Sequence, residues 1–202
     1  DKIVYDKDWS EARLEGRASV RVDDLQFESS DFAYSKADDV VSTEHGVVIS
    51  SPKLNGTASR LTYSFKDQVI RLEGSVSLRG RRPAEEAGMF TIGSEVLTYR
   101  RLERKGQAEG EAGFSLEDSA GRADALDFRM TDDEEYLLDF SLRGGARISL
   151  VEDRETAGGG RVFRRTQEIA AEEMAGRTFL NMNRLHALEA GRDCSLDAFS
   201  AD

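Results

Sequence analysis

The sequence is poor in the residues that carry most catalytic and metal chemistry. Its 202 residues include two histidines, one cysteine and two prolines. A single cysteine, Cys194, excludes an intramolecular disulfide, and no H-E-x-x-H, C-x-x-C or G-x-S-x-G motif occurs. No run of about 18 apolar residues is present, so no part of the sequence has the hydropathy of a membrane span. We therefore predict no enzyme, and no catalytic, metal-binding or cofactor-binding residues.

Positive charge is also in short supply. The chain has 28 Lys and Arg against 39 Asp and Glu, giving a net charge of −11. This balance argues against nucleic acid as a partner, because phosphates require a basic surface. Basic clusters at 79–82, 100–105 and 161–165 indicate either solvated turns or contacts for a phosphate group. The acidic run at 132–135 lacks the spacing of an EF-hand loop and indicates a solvated turn.

What the sequence does have is a regular alternation of apolar and polar residues between 31 and 80. Leu61, Tyr63 and Phe65 alternate with polar residues, and similar short series lie on either side. Polar turns at 35–39 and 66–68 separate them. A period of two predicts short strands in a sheet with one buried face.

A second copy of this pattern follows downstream. Residues 56–63 and 121–128 share Gly, Ala, Leu and an aromatic residue in the same order, and an insertion is predicted near Gly144-Gly145 in the second copy. Repetition of a strand-turn-strand unit predicts stacked rungs of sheet. A weaker third copy at 164–196 is rich in helix formers, so a helix and a third set of strands both stay open there.

The first unit contains a longer phrase of acidic turn, strand, polar hairpin and paired strands. Its residues are Tyr34, 39–43, 46–49, 54–58, 61–63 and 69–76. This phrase resembles the periplasmic lipopolysaccharide-transport proteins of the LptC/LptA (OstA-like) family. The resemblance covers about fifty residues well and the next hundred more loosely. It implies an all-β fold in which stacked antiparallel strands form an elongated, U-shaped open β-jellyroll, with a short helix near the C-terminus as one alternative.

Two breaks divide the chain into three predicted parts. A polar stretch at 80–88 holds one proline, and Gly158, Gly159 and Gly160 form a glycine cluster. The parts are a first OstA/LptC-like β unit at 1–80, a second β unit at 81–157, and a C-terminal segment at 158–202 that forms a third partial β unit or a helix.

Sixteen apolar residues are predicted to share the inner face of the two units. They are Leu61, Tyr63, Phe65, Ile70, Leu72, Val76, Leu78, Phe114, Leu116, Leu126, Phe128, Leu138, Phe140, Leu142, Ile148 and Leu150. They either close a dry core or line an open trough that holds acyl chains, and alternation is the same in both cases. The resemblance favours the trough, and these residues are then the predicted lipid-binding residues.

The resemblance also implies the biological setting. It implies a periplasmic protein that shelters acyl chains of lipopolysaccharide or a similar lipid. The lipid passes between envelope partners that join through edge strands, and a segment missing from this sequence anchors the protein to the inner membrane. A structural or adaptor β-repeat protein with a closed dry core is the alternative. A carbohydrate-active enzyme would need two carboxylates facing one cleft, and the sequence identifies no such pair.

Overall fold

A computed structural model describes residues 2–5, 10–80, 90–155, 162–178, 184–191 and 193–200. Within these ranges the chain forms strands and turns and no helix. The predicted all-β, jellyroll-like fold of antiparallel strands is therefore confirmed. In the same ranges no segment has the helical length and hydropathy needed to cross a bilayer.

The strands belong to one antiparallel sheet. They are β1 (Lys2–Tyr5), β2 (Glu11–Val22), β3 (Leu25–Ser35), β4 (Val40–Thr43), β5 (Val47–Ser50), β6 (Leu54–Ala58), β7 (Arg60–Ser64), β8 (Val69–Gly80), β9 (Thr91–Arg100), β10 (Lys105–Ser115), β11 (Ser119–Met130), β12 (Leu137–Glu155), β13 (Val162–Thr178), β14 (Leu185–Ala190) and β15 (Ser195–Ser200). Their order is β1-β2-β3-β4-β7-β8-β9-β10-β11-β12-β13-β14, with β5, β6 and β15 off this path. Neighbours in space are thus mostly neighbours in sequence, as expected for stacked rungs.

A bend line crosses the sheet at the middle of its long strands. Register shifts occur in β2, β8, β10 and β12, at Gly16, Gly74, Gly110 and Gly144, and each of these glycines has a positive φ. Such a φ costs an L-residue energy but not glycine, and the extra residue bends the strand. Three long strands each pair with two short strands, one on either side of the bend line. β3 pairs with β4 and β5, β8 pairs with β7 and β6, and β13 pairs with β14 and β15.

The bend line divides the sheet into two walls. Wall A holds β1, β4, β7 and β14 with residues 11–15, 31–35, 69–73, 96–100, 105–109, 125–130, 137–143 and 174–178. Wall B holds β5, β6 and β15 with residues 18–22, 25–29, 76–80, 91–94, 112–115, 119–123, 146–155 and 162–171. The walls face each other, since the rings of Phe27 in wall B and Tyr63 in wall A have centroids 6.0 Å apart.

The two predicted copies adopt the same register. Gly56 pairs with Leu78 in the first copy as Gly121 pairs with Ile148 in the second. The predicted insertion near Gly144-Gly145 is wrong, because that pair forms the bulge equivalent to Gly74-Ser75. The additional residues of the second copy lie instead around the turn at 131–136.

The segment at 164–196, for which a helix and strands were both left open, contains strands and no helix wherever the structure describes it. Residues 162–178 form β13, which pairs with β12 along its length, so the alternative of a helix there is wrong. Ala171 and Met174 are buried and Glu172 and Glu173 are exposed, which places the two glutamates at the bend line. Pairing with β12 and burial on one face outweigh the helix propensity of the glutamates and alanines.

The predicted domain boundaries fall at 80/81 and 157/158. Residues 81–89 and 156–161, including the glycine cluster at 158–160, lie outside the described residues. β8 and β9 flank the first boundary and pair directly, so the two β units share one sheet. The division into three parts stays a prediction.

Candidate functional site

The inner faces of the walls carry most of the sixteen predicted lipid-binding residues. Thirteen of them are buried: Leu61, Tyr63, Ile70, Leu72, Val76, Leu78, Phe114, Leu116, Leu126, Phe128, Phe140, Leu142 and Ile148. The other three, Phe65, Leu138 and Leu150, are partly buried. Leu138 lies at a register shift, and Leu137 takes the buried position beside it. At the start of β12 the alternation pattern therefore predicted Leu138 as the inward-facing residue, whereas the buried residue is Leu137.

A small cavity remains between the walls. Its volume is about 60 Å³, which corresponds to about two water molecules. It is bounded by apolar side chains of both walls, including Leu25, Ile49, Leu54, Leu78, Phe90 and Ile92 from wall B and its flanks and Ile70, Leu72, Leu97, Tyr99, Phe128 and Met130 from wall A. Several of these were missed by sequence reasoning, because the buried positions of β9 change from even to odd numbers between Ser94 and Leu97, so no single alternating series contains both Ile92 and Leu97. The interior is therefore apolar, continuous and nearly filled.

A wider apolar opening lies at the N-terminal edge of the walls. It has a volume of about 210 Å³ and is lined by Ala12, Leu14, Val20, Phe32, Tyr34, Val41 and Phe65. The ring of Tyr34 stands edge-on to that of Phe65, with centroids 6.1 Å apart. We call this opening the N-terminal mouth. Leu14, Val20 and Phe65 are only half-buried at this opening, so part of the apolar interior is exposed to solvent there.

Aromatic rings in the interior pack onto glycines of neighbouring strands. Gly106 pairs with Phe128 and Gly176 pairs with Phe140. A Cβ built on Gly106 would stand 2.0 Å from a Phe128 ring atom, and one on Gly176 would stand 2.2 Å from the Phe140 ring. These glycines are needed because the rings occupy the space where a side chain would begin.

At the end of each wall away from the bend line, turns connect neighbouring strands, and we call these turns the rims. Charged side chains join the rim of wall A to the rim of wall B. Arg101, in a turn of wall A, contacts Asp23 at 3.2 Å and Asp24 at 3.0 Å in the β2–β3 turn of wall B. Lys53, in the β5–β6 turn of wall B, donates to the Asp133 carbonyl oxygen at 2.6 Å and lies 3.6 Å from the Glu135 carboxylate in wall A. A cation of wall A therefore binds acceptors of wall B, and a cation of wall B binds acceptors of wall A.

A further bridge lies toward the C-terminal end. Arg184 approaches the Asp118 carboxylate at 3.5 Å, and the Leu185 N–H donates to Asp118 at 3.1 Å. Asp118 is in the β10–β11 turn of wall B, Leu185 begins β14 of wall A, and Arg184 directly precedes it. Contact between the rims therefore recurs along the sandwich.

In each of the turns at 100–105 and 131–136, a charged side chain is held in a contact at the rim, although other charged side chains of the same turn are exposed. Arg101 belongs to the basic cluster at 100–105, yet only 12% of its side chain is exposed. In the acidic turn at 131–136, Glu134 accepts a hydrogen bond from the Tyr99 hydroxyl at 2.9 Å. Burial, together with the charge of Glu134, raises the pKa of Tyr99 well above its ordinary value. Among the described residues, no three His, Cys, Asp or Glu side chains are placed to share a metal ion.

The amino-acid sequence of the first part of this arrangement is similar to a known family. Residues 5–79 match the model of a family described as lipopolysaccharide-assembly, LptC-related. The match confirms the resemblance predicted from the sequence. It runs from the end of β1 to the end of β8 and covers a little over a third of the chain. No curated protein matches the chain.

The LptC-related region contributes much of the geometry described above. It includes the N-terminal mouth and the first strand-turn-strand copy, as well as Asp23, Asp24 and Lys53 at the rim. The match supports a role in lipopolysaccharide transport. The interior residues beyond 79, which lie outside the match, repeat the register of the first copy and continue the same sheet.

The acidic turn of wall A is expected to respond to pH through Asp133. A hydrogen bond from the Thr131 hydroxyl, assisted by the Glu135 N–H and Lys53, lowers the pKa of Asp133 despite some opposing desolvation. A lowered folded-state pKa means that this contribution to stability is present above the ordinary Asp pKa, near 4, and is lost as the pH falls through the folded-state pKa. An NMR titration of the Glu135 amide, which donates to Asp133 at 3.1 Å, measures that midpoint.

Thr131→Val should raise the titration midpoint of Asp133 toward its ordinary value, and Thr131→Ser should leave it low. Serine is the matched control because it keeps the hydroxyl that donates to Asp133. An unchanged midpoint in Thr131→Val contradicts the assignment of that hydrogen bond as the main cause.

Proposed function

We propose that this protein binds lipopolysaccharide or a related lipid and passes it between envelope partners. The single observation that carries the proposal is the pair of facing β walls with a continuous apolar interior, in a chain whose first part matches an LptC-related family. Acyl chains would lie between the walls, and the polar headgroup would stay in water at the rims or mouth. Burial of apolar area contributes roughly 25 cal/mol per Å² without directional constraint, so the lipid can slide.

Transfer between proteins would use the ends of the sheet. β1 lies at one edge, and β14 and β15 lie at the other. Edge strands offer unpaired N–H and C=O groups that can pair with a strand of another protein. Such pairing would align the interior of one lipopolysaccharide-transport protein with that of the next. A periplasmic location, with an inner-membrane anchor outside this sequence, fits this role.

The nearly filled interior favours a second candidate function. A cavity of about 60 Å³ suits the closed, dry core of a structural or adaptor β-repeat protein that binds another protein. Lipid binding requires the walls to move apart or the chains to start from the N-terminal mouth, whose volume is about 210 Å³. The two candidates therefore differ in whether an amphiphile enters the sandwich at all.

Native mass spectrometry with added lipopolysaccharide separates these functions. We expect about one lipid per chain in the unmodified protein, and at least a tenfold weaker adduct in Phe65→Glu. Phe65 lines the mouth and is half-buried, so a carboxylate there spoils the apolar surface without filling the deep core. Val48→Glu is the matched control, because Val48 is 52% exposed on the outer side of β5.

Circular dichroism of both variants checks that the sheet survives. Failure of the unmodified protein to take up lipid under gentle conditions would overturn the proposal and leave the adaptor role. Equal loss in Phe65→Glu and Val48→Glu would also overturn it, because binding would then not involve the apolar mouth.

A further inference from the structure

The bridges between the rims differ from ordinary surface ion pairs. Arg101 meets two carboxylates of the opposite wall and lies 3.9 Å from Glu134 of its own wall, with 12% of its side chain exposed. Arg129, by comparison, pairs with Asp139 within wall A and is 49% exposed. Exposed pairs such as the latter contribute little. Arg101 is partly desolvated, whereas the side chains of its partners Asp23 and Asp24 are 69% and 42% exposed, so added salt can still weaken these contacts.

The charges at the rim are unbalanced. Among the described residues that line or adjoin the cavity at this part of the rim, three cations, Arg101, Lys53 and Arg104, lie near six carboxylates, which belong to Asp23, Asp24, Asp132, Asp133, Glu134 and Glu135. Contact between the rims therefore depends on a few cations. Loss of Arg101 leaves Asp23 and Asp24 of wall B near Glu134 of wall A, and like charges at short range repel.

The same groups stand at the outer boundary of the apolar cavity. Asp24, Lys53, Arg101 and Glu134 line it together with its leucines and aromatic rings. A long apolar chain cannot pass between the rims while these contacts persist, because the remaining space holds about two water molecules. Separation of the rims at this place opens the interior along its side.

We propose that Arg101 and Lys53, with their carboxylate partners, form a clasp that controls lateral access to the interior. With the clasp closed the walls pack on each other, and with it released an amphiphile enters from the side rather than only through an end of the sheet. This inference rests on the proposed lipid binding and adds the route and the residues that gate it. The bridge between Asp118 and Arg184 extends the same closure toward the C-terminal end.

The first experiment compares the rate of lipid uptake in two arginine variants. Fluorescently labelled lipopolysaccharide is mixed with the full chain, and uptake is followed in time. Arg101→Gln should accelerate uptake at least fivefold, whereas Arg129→Gln, which loses an ion pair within one wall, should stay within twofold. Added salt should accelerate the unmodified protein and have less effect on Arg101→Gln.

The second experiment locks the clasp. In a Cys194→Ser background, Lys53→Cys with Glu135→Cys is bridged by a short reducible thiol crosslinker. Arg129→Cys with Asp139→Cys, which are directly opposite in β11 and β12, is bridged in the same way as a control. Lipid uptake should fall at least tenfold in the 53–135 crosslinked protein and recover on reduction, while the control keeps its rate.

Uptake at the unmodified rate by the 53–135 crosslinked protein would overturn the clasp while leaving lipid binding intact. If the unmodified protein takes up no lipid, the proposed function fails instead, and the clasp is judged by distance alone. In the same Cys194→Ser background, spin labels at 52 and 102, which are exposed in turns of opposite walls and make none of the clasp contacts, should then report a longer, broader distance in Arg101→Gln than in Arg129→Gln. Identical distances in the two variants reject the clasp.

Discussion

Leu142→Ala is expected to lower the free energy of unfolding by about 2–5 kcal/mol. Leu142 lies in wall A opposite Leu126, and the relative exposure of both is 0%. Removing its side chain loses buried apolar contact and leaves a cavity. The surrounding walls have little freedom to collapse, because paired strands on both sides hold the backbone.

Leu102→Ala is the matched control for that loss. Leu102 is 67% exposed in the β9–β10 turn, so the same chemical change should alter stability by less than about 0.5 kcal/mol. Urea unfolding followed by circular dichroism measures both variants. A small effect at Leu142 would mean that the interior is loosely packed and that the alanine variant relaxes without a cavity.

Gly106→Ala should cost about 1–3 kcal/mol, although it adds one methyl group. The added Cβ would meet the Phe128 ring at 2.0 Å. That ring cannot simply turn away, because it stacks on Tyr99 with a centroid distance of 6.2 Å and an interplanar angle of 6°. The strands or the stacked pair must shift to relieve the overlap.

Gly93→Ala provides the comparison for Gly106→Ala. Gly93 lies in the neighbouring strand β9 and pairs with β10, and the nearest atom to its added Cβ is the Val76 carbonyl oxygen at 3.7 Å. We expect it to be near neutral in the same unfolding measurement. Phe128→Leu combined with Gly106→Ala should restore part of the loss, and the absence of any recovery would show that the clash lies elsewhere.

The periodicity of the sequence was sufficient to predict the strands and most of the inner face. Leu61, Tyr63 and Leu72 are buried because alternation specifies which face a strand residue takes. It failed at Leu138, where a register shift moves Leu137 into the core. It was also ambiguous for β13, where pairing with β12 decides between two local preferences. Bulges and strand pairing depend on tertiary contacts, so a single strand's pattern does not contain them.

The rim could not be predicted from the sequence. Arg101 and Asp23 are 78 residues apart, and each belongs to a turn whose composition alone indicates solvent. Their contact arises because the sheet folds back on itself and brings turns of opposite walls together. The basic cluster at 100–105 was identified, but its partners are carboxylates of this chain.

The bulges at Gly16, Gly74, Gly110 and Gly144 also determine how the sandwich can move. Strand register is interrupted at the same level in four strands. At three further places in the sheet, two separate short strands lie on the two sides of the line. This line is therefore where the sheet can bend most easily, as a hinge between the two walls. If the two walls separate, β3, β9, β11 and β13, which cross this line, would bend along it, while the ladder hydrogen bonds within each wall would stay intact. The work of opening is then set by apolar contact and a few ion pairs, and not by unzipping strands.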